Sequence, residues 1–159
     1  MMVVKENIDF SLLRKNFEEN GVKLFPSDLD EIKAFQNKYN VEIPQDLQDY
    51  YLKINGSGNE TLNNLYEFYN INRIKKVNEE LINWTGIPDY SKLNFDGMEN
   101  IYVFGEYEFN FYAFGIELFQ DFSSENKVFI FCGKNFKIIA NSFTEFINLY
   151  LNKSEDIYI

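Results

Sequence analysis

The chain contains no histidine, and that absence removes Ser-His-Asp and Cys-His catalytic schemes together with most zinc sites. Cysteine occurs once, at Cys132, so no intrachain disulfide can form and no oxidising compartment is implied. Alanine is confined to positions 34, 113 and 140, which leaves the core to Phe, Tyr, Ile and Leu. No apolar run approaches membrane-spanning length, and Met1 to Val4 give way at once to Lys5-Glu6, without a signal-peptide core. A cytoplasmic protein with no membrane partner is expected. Gly56-Ser57-Gly58 is too short for a phosphate loop and no lysine follows it, and no EF-hand spacing occurs. Basic residues are scattered and outnumbered, 15 Lys and Arg against 25 Asp and Glu, which argues against nucleic acid as a partner.

What is present is apolar and acidic at once. A chain of 159 residues that is 45% hydrophobic and 18% aromatic has the means to bury a core, and residues 1–159 are expected to form one domain. Its negative charge is unevenly placed. Between Glu79 and Asn126 stand Glu79, Glu80, Asp89, Asp96, Glu99, Glu106, Glu108, Glu117, Asp121 and Glu125, against the single base Lys92. This middle third therefore carries −9 of a net −10, interleaved with Tyr, Phe and Trp84. Such a surface repels phosphates and lipid headgroups and attracts basic proteins at long range; the plainer alternative is that it serves solubility.

Periodicity divides the chain in two. Phe10, Leu13 and Phe17 share one helical face, which Asn20-Gly21 terminates. Ser27 is placed to cap a second helix with the stripe Leu29, Ile32, Phe35 and Tyr39. A third starts at Pro44, carries Leu47, Tyr50, Tyr51 and Ile54, and ends at Asn55-Gly56; with only Asn40 to Ile43 between them, these two helices should form a hairpin. Leu65 to Tyr69 suits a short strand, and Ile74, Val77 and Leu81 return to helical spacing as far as Trp84. From Ile101 the pattern is that of strands: Ile101–Phe104, Phe109–Phe114, Ile116–Phe119, Val128–Phe131 and Lys137–Ala140, with turns expected at Gly105, Gly115, Ser123–Asn126 and Gly133–Asn135. Short links favour antiparallel neighbours. Ser142-Phe143-Thr144-Glu145 is a capping box that opens a last helix, with Phe143, Phe146, Ile147, Tyr150 and Leu151 on its buried face. The expected class is α+β, a mostly antiparallel sheet packed with helices.

Few side chains suggest chemistry. Cys132 at the end of an apolar strand reads as an unreactive packed thiol. Glu106 and Glu108, two apart on a strand with Glu117 on the next, have the form of a carboxylate pair for acid–base work or for a hard cation; a solvated strand edge is the commoner meaning. Trp84 and Tyr90 suit either a core or an interface.

Several motifs, in order, resemble the SUKH superfamily. They are Ser27-Asp28-Leu29-Asp30-Glu31-Ile32, Ile43-Pro44-Gln45-Asp46-Leu47, Tyr50-Tyr51-Leu52 and Asn55-Gly56 in the first half. Val103-Phe104-Gly105-Glu106, Val128-Phe129-Ile130-Phe131 and Ser142-Phe143-x-x-Phe146-Ile147 follow in the second, so the resemblance runs from about Phe25 to Leu151. Ile43 stands where Leu is usual, Glu106 where Asp is commoner, and Cys132-Gly133 where Asp-His is often seen. The superfamily includes fungal cell-wall-synthesis regulators of the Smi/Knr type and bacterial immunity proteins. The resemblance implies an α+β domain without catalytic residues, metal or cofactor, which binds and neutralises a toxin, many such toxins being nucleases with a basic surface. A regulatory scaffold like the fungal relatives is the alternative. From charge and hot-spot preference, the expected contact residues are Glu106, Glu108, Glu117 and Asp121, with Trp84 and Tyr107 as aromatic anchors.

Overall fold

The computed structural model describes residues 7–123 and 125–158. The leader reading of Met1 to Glu6 lies outside them, as does Ser124 of the turn expected at Ser123–Asn126. Three helices come first. Asp9 caps α1 (Phe10–Glu19) by accepting from the Leu12 N–H, and α1 buries Leu13 and Phe17. The cap of α2 (Leu29–Tyr39) is Asp28, whose carboxylate accepts from the Glu31 N–H at 2.9 Å. Ser27 instead donates its hydroxyl to the Glu31 carboxylate, and Leu29, expected on the buried stripe, is 54% exposed at the first helical position. Pro44 precedes α3 (Gln45–Lys53), which buries Leu47, Tyr50 and Tyr51. Contacts between α2 and α3 follow from the short link.

Six strands form one antiparallel sheet in the order β1-β3-β4-β5-β6, with the two-residue β2 sharing the β3 edge with β1. They are β1 (Tyr66–Phe68), β2 (Lys75–Lys76), β3 (Ile101–Tyr107), β4 (Tyr112–Glu117), β5 (Val128–Cys132) and β6 (Asn135–Ala140). The expected helix from Ile74 to Trp84 shrinks to one turn, α4 (Val77–Glu80), because Lys75 and Lys76 pair with β3. Gly105 and Gly115, expected at turns, lie within β3 and β4. Residues 116–119 are therefore no separate strand, and the real β3–β4 turn is Glu108–Phe111. Gly115 is required by crowding: a Cβ there would stand 2.5 Å from Ile101 Cγ2 and 3.1 Å from the Phe131 ring.

Both faces of the sheet are covered. On one, Phe17 of α1 stacks on Phe68 at 5.4 Å, and Phe146 of α5 (Phe143–Leu151) meets Phe104 and Phe114 at 5.1 and 5.2 Å. Tyr150 adds an edge contact to Phe68, also at 5.1 Å. The Ser142 hydroxyl accepts from the Glu145 N–H at 3.1 Å, as in a capping box, while the Glu145 carboxylate accepts from the N–H of Asn141, one residue before the cap. The other face is covered by irregular chain between α4 and β3, where Tyr90 and Leu93 are buried and Phe95 stacks on Phe129, Phe131 and Phe136. The architecture is α+β, and no helix among the described residues is long and apolar enough to cross a membrane.

Candidate functional site

Register separates the six residues expected to form one surface. Glu106 lies opposite Ala113, whereas Glu117 lies opposite Ile101 at the other end of the β3–β4 pair. Ala113 and Glu117 are four steps apart along β4, roughly 13 Å of strand, so Glu106 and Glu117 are not neighbours. Glu106 is also only 7% exposed, because β1 and β4 flank it and the irregular cover lies on its face. It cannot act as an exposed contact residue. Glu108, expected to share its strand face, has left the strand and is exposed in the turn.

Around Glu106 the fold assembles a closed polar group. Glu67 of β1 is its direct cross-strand neighbour. The Tyr69 hydroxyl donates to Glu106 Oε2 at 3.1 Å, and the Arg73 guanidinium lies 4.3 Å from the Tyr69 ring centroid. Arg73 makes a bidentate pair with Glu80 at 2.6 and 2.7 Å, which occupies the guanidinium fork. Burial, then the adjoining Glu67, push the Glu106 carboxyl up to about 7, while the Tyr69 hydroxyl opposes the rise. Among the described residues no group of His, Cys, Asp and Glu is arranged to hold a metal ion. Cys132 is half-buried, and burial raises its thiol further from the reactive thiolate.

The remaining candidates fall at the two ends of the sheet. At the hairpin end, Tyr107 is half-buried among Tyr66, Tyr112 and Tyr158. Trp84, also half-buried, packs edge-on against Tyr90, whose hydroxyl donates to the Asn110 carbonyl at 2.7 Å. Glu108, Phe109 and Asn110 all have left-handed backbone there, and Phe109 and Ile87 are left 67% and 90% exposed.

At the opposite end, residues 118–127 connect β4 to β5, with Lys127 as the basic residue among them. The Leu118 N–H donates to the Asn100 carbonyl, and the Glu42 N–H donates to the Phe119 carbonyl at 2.8 Å. These bonds bring Glu99 and Glu42 to the loop that already carries Asp121 and Glu125, with half-buried Glu117 at its base. Phe122 projects from this acidic loop, 70% exposed. From sequence, Glu117 and Asp121 stand out as contact candidates and Glu99 and Glu125 only as part of the acidic middle third, while neither Phe122 nor Glu42 is singled out. An aromatic residue between Asp121 and Ser123 in a polar turn was the available signal for Phe122.

Comparison with known families adds to this geometry. Residues 26–149 match the SMI1 / KNR4 family (SUKH-1), a span that includes all five helices except α1 and the last residues of α5, and all six strands. No curated protein matches the chain.

Proposed function

Because the chain belongs to the SMI1 / KNR4 family (SUKH-1), we propose that it is a non-catalytic, cytoplasmic immunity protein of bacterial origin that binds and neutralises a cognate toxin. The observation that carries the binding mode is the exposed Phe122 in the loop that holds Asp121 and Glu125, with Glu117 at its base and Glu99 brought beside it. A large exposed aromatic side chain in a loop that is acidic on balance has the make-up of an interface anchor with a polar rim. The partner it suits is a toxin domain with a basic surface and an apolar pocket, such as the substrate-binding face of a nuclease. Electrostatic attraction would speed the encounter, and the seated aromatic would slow dissociation. Trp84, Tyr107 and Glu108, at the other end of the sheet, form the competing contact surface.

The test is to express the toxin domain encoded beside this gene, with and without this protein, and to follow survival and complex formation. Rescue together with a stable complex is the expected result. Absence of both, with every neighbouring toxin tried, would remove the immunity function and favour a regulatory scaffold.

A further inference from the structure

The carboxylates at the β1–β3 edge present a charge problem that Arg73, paired elsewhere, resolves only in part. Glu67 and Glu106 are paired residues on adjacent antiparallel strands, so their side chains leave the same face, with Cβ atoms about 5 Å apart. Like charges so placed repel, and more strongly where water is excluded; Glu106 is buried and Glu67 half-buried. The packed elements compensate the pair only in part. The Ile71–Arg73 turn supplies Arg73, which attracts Glu67 at long range, but its fork is committed to Glu80 of α4, itself a third carboxylate that acts on Glu106. Tyr69 contributes a neutral hydroxyl, and Tyr90 of the covering segment is a second phenol that burial keeps protonated. Across β4 Glu106 faces Ala113, which brings no charge.

We propose that Glu67 and Glu106 share one proton across the β1–β3 pair, and that losing it loosens the β1 edge, which makes this edge a pH-sensitive element of the fold. One protonated carboxyl donates to the other, so repulsion becomes a hydrogen bond and the buried pair carries a single negative charge. The inward side chains Tyr66 and Phe68 and the bonds between Ser57 and Phe68 anchor the strand on its other sides, so the loosening is confined to the β1–β3 pairing. β1 is three residues long, and on this side of the sheet it depends on its pairing with β3. The effect would reach the hairpin tip, because the Glu108 N–H donates to the Leu65 carbonyl at 2.9 Å. The sign is fixed by the direction of the shift. A carboxyl raised in the folded state holds its proton where the unfolded chain has released it, so stability falls as pH rises through that window and levels off above it.

The test uses the full chain and two NMR observables. Carboxyl carbon titration should place the Glu106 midpoint at least one pH unit above that of the exposed glutamates, a ten-fold higher proton affinity. Glu67→Gln, at the half-exposed partner, should bring that midpoint down by about one unit. Amide exchange, corrected for its intrinsic pH dependence, should be at least ten-fold faster at pH 8 than at pH 5.5 for Tyr69 and Glu108, whose N–H groups donate to Phe104 and Leu65. Amides between β4 and β5 should show no such contrast, and Glu106→Gln should abolish it at Tyr69 and Glu108. An ordinary Glu106 midpoint in the wild-type chain would overturn the shared proton whatever the variants do. A contrast that persists in Glu106→Gln would overturn its link to the β1 edge.

Discussion

Asp46, in the first turn of α3, accepts hydrogen bonds from both the backbone N–H and the hydroxyl of Thr144 at the start of α5, each at 2.9 Å. The other oxygen of the same carboxylate accepts from the Leu47 N–H at 2.8 Å. One side chain thus serves the N-termini of two helices that are 98 residues apart in sequence, each the positive end of a helix dipole. The Ile43–Leu47 and Ser142–Ile147 motifs are therefore halves of one joint. Asp46→Ala should cost about 1.5–3 kcal/mol in denaturant melts, since charge-assisted bonds are lost and an N–H is left without its acceptor. Thr144→Val removes only the hydroxyl bond and should cost about 1 kcal/mol. Equal melts for Asp46→Ala and wild type would show that the joint contributes nothing.

Asn55-Gly56 ends α3 and also fastens the chain that follows. The Asn55 amide donates to the Phe25 carbonyl and its oxygen accepts from the Ile71 N–H, both at 2.9 Å. Gly56 has φ +73, and a Cβ there would meet the Phe68 carbonyl oxygen and, at 2.7 Å, that of Tyr69. Gly56→Ala should therefore cost more than the roughly 1–3 kcal/mol of a left-handed residue alone, because β1 must move aside. Asn55→Ala should cost about 2 kcal/mol through its two lost tethers. Thermal melts of both variants supply the check; a Gly56→Ala variant as stable as wild type would mean that the backbone at Phe68 and Tyr69 yields freely.

Phe146 is the buried centre of α5, with Phe68, Phe104, Phe114 and Phe143 around its ring. Phe146→Ala should cost about 3–5 kcal/mol through the cavity it leaves. Ser142→Ala should cost about 1 kcal/mol through loss of the cap. A near-wild-type melt for Phe146→Ala would mean that α5 is not docked as described.

How much of this was legible depends on whether a residue's role is local. Leu13 and Phe17, Leu47, Tyr50 and Tyr51, and Phe143, Phe146 and Tyr150 keep helical spacing because each helix has one buried side, and the structure buries them. The Ser142 cap was legible because its partner is three residues away. Gly105 and Gly115 misled because glycine serves two needs, turning and close approach, and their need is the second. The actual turn uses Glu108, Phe109 and Asn110 in left-handed conformation, with neither glycine nor proline to announce it. Glu106 misled for a different reason. Its burial comes from elements distant in sequence, with Glu67 and Ala113 beside it on flanking strands and Tyr69 over its carboxylate, and no period announces them. The same non-local cause hid the acidic loop, since Glu42 and Glu99 join it only through backbone bonds to Phe119 and Leu118.

The acidic loop is where charge and anchoring can be separated. Glu99, Asp121 and Glu125 are exposed, so reversing all three to Lys should leave stability within about 1 kcal/mol of wild type. Against a basic toxin surface the triple reversal should slow association at least ten-fold at low salt, with the difference narrowing as salt screens the attraction. Phe122→Ala should act on the other rate: association stays near wild type, while dissociation quickens by the equivalent of about 2 kcal/mol if the ring fills a pocket. Phe109→Ala combined with Glu108→Lys, at the opposite end of the sheet, serves as the control and should alter neither rate. Surface-binding kinetics with the cognate toxin domain would resolve these effects. Loss of binding only in the control pair would move the contact surface to the hairpin tip, where Trp84 and Tyr107 lie. An association rate unchanged by the triple reversal would discard electrostatic steering and leave the antidote function intact, because neutralisation depends on the complex and not on how fast it forms.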